Sequence, residues 1–93
     1  MDQANSANNL RLSPQVRHRC VGDEGVLVNL ATARVVVVNR VGLAIVEQLA
    51  KPIGVDALSD FVAAKFDISN ARAKQDTLAY IDALKAEQLV LDA

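Results

Sequence analysis

The chain has no tryptophan, one tyrosine, two phenylalanines and a single cysteine, and each scarcity closes off a class of answers. Phe61, Phe66 and Tyr80 are too few aromatics to stack a run of nucleic-acid bases. One cysteine cannot form an intramolecular disulfide, so in a chain of 93 residues the apolar core must hold the fold alone. The only histidine is His18, which rules out a zinc site of His/Cys clusters and a Ser-His-Asp set with a second imidazole. The glycines Gly22, Gly25, Gly42 and Gly54 never fall into a phosphate-cradling spacing. No run approaches the ~18 apolar residues of a membrane span. Ten basic and eleven acidic side chains are spread along the chain, without the basic patch that displaces counterions from nucleic acid. Enzymatic activity in isolation, a cofactor, a metal, nucleic acid and a membrane are therefore not expected. The polar start, with Asp2 in place of a basic export signal, and the lack of disulfides point to the cytosol.

What is present reads as one domain. Met1–Asn9 has nothing to bury and reads as a disordered tail, leaving residues 10–93 for the fold. Leu10 to Pro14 leads in. Val16–Val21 alternates like a strand, and Gly22-Asp23-Glu24-Gly25 supplies the positive φ angles of a hairpin turn. Val26–Leu30 is a second strand, Ala31-Thr32-Ala33 a second turn, and Arg34–Val38 a third strand. Cys20 reads as a small buried hydrophobe. His18 lies two residues before it, a spacing that is no nucleophile signature.

Helices follow. Asn39 is placed to cap Arg40–Ala50, whose stripe is Val41, Ile45, Val46 and Leu49. Pro52 ends it. Asp56 is the expected cap of a helix carrying Leu58, Phe61, Val62 and Phe66. Ser69 or Asn70 caps a third helix running to about Ala86, with Thr77, Ile81 and Leu84 toward the core. Leu89-Val90-Leu91 should fold back as a short strand or plug. The fold class is α+β, winged-helix-like: a three-stranded antiparallel meander followed by three helices, βββααα.

The informative segment is Arg34, Val35, Val36, Val37, Val38. A strand with one wet face should alternate apolar and polar residues, and this one does not. In a meander the third strand is also an edge, open to another peptide. Lys74, Leu78, Ile81 and Lys85 on the third helix are the expected other wall of a groove. Val35, Val37, Leu78 and Ile81 would form pockets for apolar side chains. Lys74 and Lys85 would steer acidic ones.

With these elements in place, the chain resembles the PqqD-like family, the RiPP recognition elements. "RLSPQVRHR" looks like the family's opening strand, and "GVLVNLATARVVVVN" its second and third. "NRVGLAIVEQLA", "VDALSDFVAAKFDIS" and "ARAKQDTLAYIDALKAEQLV" are similar to its three helices. The "LSP-x-V-R" start and "RA-x-x-D" helix look closest to the stand-alone leader-binding proteins of lasso-peptide clusters. Those usually carry aromatics where Val35 and Val36 stand here. The resemblance implies a peptide chaperone that takes the leader of a ribosomally made precursor as an added strand. It would present that peptide to a modifying enzyme, such as a radical SAM enzyme or a leader peptidase/cyclase. Two other readings stay open: a winged-helix DNA-binding regulator, and a structural subunit forming a homodimer through the valine edge.

Overall fold

The computed structural model describes residues 9–93. The expected tail thus lies outside the described residues except for Asn9, which is the first residue of a strand. The meander is present as β2 (Val16–Val21), β3 (Glu24–Asn29) and β4 (Arg34–Val38), antiparallel in that spatial order. Three helices follow: α1 (Arg40–Gln48), α2 (Val55–Phe66) and α3 (Asn70–Ala86).

A second small sheet was not foreseen. β1 (Asn9–Leu12) lies between β5 (Ile53–Gly54) and β6 (Val90–Asp92), antiparallel to both. The lead-in is therefore a strand, and the terminal segment is β6 rather than a plug. This sheet ties the start of the described chain to its end across the helices.

Both hairpins depart in detail from expectation. The first loop is Gly22-Asp23 alone, with φ +62 at Gly22, and Val21 faces Glu24. Gly25 is not a turn residue but a buried strand position, paired with Cys20 and Val38. A Cβ there would stand 2.9 Å from Leu43 Cδ1, so the bare glycine lets α1 lie close on the sheet. The second loop runs from Leu30 to Ala33 and is organised by Asn29, which is only 2 % exposed. Its Oδ1 accepts from the amides of Ala31 (2.9 Å) and Thr32 (3.3 Å), and its Nδ2 donates to the Gln88 carbonyl at 3.0 Å.

Helix starts follow local chemistry. Asn39 caps α1 by accepting from the Gly42 amide at 3.0 Å, and Ser69 caps α3 by accepting from Arg72 at 3.2 Å. Asp56 is no cap: Gly54 holds that position for α2, and Asp56 sits in the first turn, where its charge complements the helix dipole. The core is aliphatic, with Leu27, Ile45, Val46, Leu49, Leu58, Val62 and Leu89 fully buried where sheet and helices meet. Of β2 only Val16 reaches it. Cys20 is consequently exposed, contrary to expectation, its thiol donating to the Gly22 carbonyl at 3.1 Å.

Candidate functional site

β4 is a free edge among the described residues: it pairs with β3 and with no other strand. The register also fixes which backbone groups it leaves open. Pairs in an antiparallel ladder alternate between exchanging hydrogen bonds and not. The pair closing a two-residue loop is a bonded one, and Leu30 N donates to Gln15 O (2.9 Å) at the matching phase of the ladder. Arg17, Arg19 and Val21 therefore bond to β3 from one side. Gly25, Leu27 and Asn29 bond to Val38, Val36 and Arg34 from the other. Val35 and Val37 are left with amide and carbonyl directed away from the sheet.

Side chains divide by the same alternation. Val38 is buried and Val36 half-buried against the core, while Val35 and Val37 are 59 % and 60 % exposed on the outer face. There they adjoin Val28 and Val26, their partners on β3. Four backbone groups and two bare valines on one rim make this edge competent to take an extended guest.

The partner wall is α3, which runs antiparallel beside β4 and is pinned to both its ends. At the start of the strand, Arg34 pairs with Glu87, Nη2 to Oε1, at 3.0 Å. At its end, the Tyr80 hydroxyl donates to Asn39 Oδ1, the oxygen that also caps α1. Gly42 permits that approach, since a Cβ on it would come within 2.8 Å of Tyr80 Cε1 and 2.7 Å of Val38 Cβ. Burial raises the Tyr80 phenol above its ordinary 10.0, and the Asp76 carboxylate nearby adds to the rise. Asp76, Tyr80, Ala83 and Glu87 recur at helical spacing, so they share the flank of α3 that faces the strand.

That flank is not the one expected. Lys74 pairs with Asp56 of α2 at 3.1 Å, and Lys85 pairs with Asp92 of β6 at 3.0 Å. Lys74 and Leu78 line a depression of about 630 Å³ with Asn9 and the start of α2. Ile81 is 3 % exposed, within the core. The structure therefore brings Arg34 to Glu87 and the Asn39 end of the strand to Tyr80, with Asp76 one turn further along the same flank, and puts Lys74, Leu78 and Lys85 on the opposite side of α3. The basic rims are corrected to acidic ones.

Residues 24–90 match the family described as Coenzyme PQQ synthesis protein D (PqqD). The chain belongs to the PqqD family. Solved structures with the same fold include "TbiB1 in Complex with the TbiA(beta) Leader Peptide", at TM-score 0.78 and 22 % identity over 89 % of this chain and 96 % of that one. Another is "Lasso peptide synthetase B1 complexed with the leader peptide", at 0.75 and 20 % over 88 % and 96 %. A third is the PqqD truncation of Methylobacterium extorquens PqqCD, a stand-alone RiPP recognition element, at 0.75 and 17 % over 92 % of each chain. No curated relative matches.

Asp76, Tyr80 and Glu87 went unremarked as site residues in the sequence. Helical spacing alone could have grouped Asp76, Tyr80, Ala83 and Glu87, and Tyr80 stands out as the lone tyrosine. Which flank of α3 meets the strand is decided by contacts distant in the chain.

Proposed function

We propose that this PqqD-family chain is a non-catalytic peptide-binding module. It takes the leader of a ribosomally synthesised precursor as an antiparallel strand on β4 and presents it, in the cytosol, to a modifying enzyme. Enzymes of two classes suit that role, a radical SAM enzyme and a leader peptidase/cyclase. The observation that carries the reading is the unpaired outward backbone of Val35 and Val37. The leader complexes named for two structures of this fold support it.

Strand addition makes a sharp test, because proline removes one amide and neighbouring positions on β4 use theirs differently. Val37→Pro deletes an outward donor and blocks the edge, while the β3–β4 ladder keeps its bonds through Val36 and Val38. With each net backbone bond contributing about 1 kcal/mol, affinity for a synthetic leader from a neighbouring precursor should fall about fivefold from the lost bond alone, and further because the proline ring blocks the edge. Circular dichroism should stay native. Val36→Pro removes a ladder bond instead and should lower stability. Unchanged leader affinity in folded Val37→Pro would put the binding site elsewhere.

A further inference from the structure

Resting on the strand-addition reading, we propose that Asp76 selects a guest with a basic residue at the N-terminal end of its paired segment. An antiparallel guest on β4 starts opposite Val38 and ends opposite Arg34. Its inward side chains, on the side of Val36 and Val38, enter the space between β4 and α3. The wall they meet there is Asp76, Tyr80, Ala83 and Glu87. Tyr80 and Glu87, the residues joined to the two ends of the strand, are about 10 Å apart along the helix axis, and Asp76 lies about 6 Å beyond Tyr80. One carboxylate thus stands toward each end of the strand, Glu87 beside its start and Asp76 just past its Asn39 end.

The two carboxylates are not equivalent. Glu87 is already held by Arg34, its two oxygens at 3.0 and 3.2 Å from the same guanidinium nitrogen. Among the described residues Asp76 has only Arg72, one turn earlier on its own helix, at 3.6 Å and with a side chain 70 % exposed. Pairs of that kind contribute little and exchange readily. Asp76 also stands beside the Tyr80 phenol, at the Asn39 end where the guest begins. A lysine or arginine on the guest would gain a carboxylate whose present partner is loose, whereas an acidic residue there would face repulsion. The basic side chains Lys74 and Lys85 do not offset this, being paired on the far flank.

Randomised short peptides displayed on phage, selected in parallel on the wild type, Val37→Pro, Asp76→Asn and Asp76→Lys, test the assignment. Peptides kept by the wild type and lost on Val37→Pro should carry Lys or Arg at one position preceding an apolar alternating stretch. That preference should vanish on Asp76→Asn and turn to Asp or Glu on Asp76→Lys. Exchanging the basic residue for Gln in a selected peptide should weaken binding several-fold on the wild type and not on Asp76→Asn. Val37-dependent peptides with no basic position, or with the same one on all Asp76 variants, overturn the charge assignment and leave strand addition standing. If no peptide distinguishes the wild type from Val37→Pro, strand addition itself fails and this inference falls with it.

Discussion

Thr77 faces the core from the middle of α3, fully buried, and its hydroxyl has no hydrogen-bond partner among the described residues. An orphaned buried hydroxyl costs free energy without return. Thr77→Val keeps the shape and removes the polar atom, so stability should rise by about 1 kcal/mol in urea denaturation. Tyr80 makes a second prediction at this scale, because it is the chain's only tyrosine and phenolate absorbance reports it alone. Burial, then Asp76, favours its neutral form in the folded protein. The folded state therefore keeps the proton to higher pH than the unfolded one. The stabilisation it provides is complete below 10.0 and is lost as pH rises through the folded value. Titration should show phenolate appearing above 10.0 in native buffer and returning to about that value in denaturant.

Among elements, the groove's width depends on how closely α1 and α3 approach the end of β4. Gly42 sits at that junction against both Val38 and Tyr80. Gly42→Ala should therefore push Tyr80 outward. The added methyl improves helix propensity by up to ~1 kcal/mol, but overpacking costs about 1–3 kcal/mol, so net destabilisation is expected. Thermal melting would measure it, and weakened leader binding should accompany it. The helices and the meander were legible because each carries a long, clean pattern: Val41, Ile45, Val46 and Leu49 on one face, and caps at Asn39 and Ser69. The sheet of β1, β5 and β6 was not, since its strands are only four, two and three residues long. Such pieces carry too few residues to show a period, and their pairing is decided by distant partners. Asp56 misled for a related reason: acidic residues suit both a cap and a first helical turn, and only the chain's path separates the two.

In the molecule as a whole, the meander stands partly clear of the core, which explains why Cys20 was misread. A cysteine in an apolar strand is usually buried, yet β2 is an outer strand with one buried residue. Cys20 should accordingly react with a thiol reagent in the native protein, one label per chain by mass. β3 separates it from β4, so a dye there should leave leader affinity unchanged. The same arrangement explains why the edge at β4 was legible and the groove's charge was not. An edge follows from strand order, which short loops dictate. The charge of the opposite wall depends on the rotation of a helix about its axis, here set by Arg34–Glu87 and Tyr80–Asn39.

The unlike borders of the meander bear on stoichiometry. A ribbon open along both sides can accrete strand upon strand, the route by which exposed edges turn into fibres. β2 borders its side with Arg17 and Arg19, both exposed, and such charges discourage a further neighbour. Growth is thereby biased to the valine side, so if a guest strand adds there, native mass should show one peptide per chain.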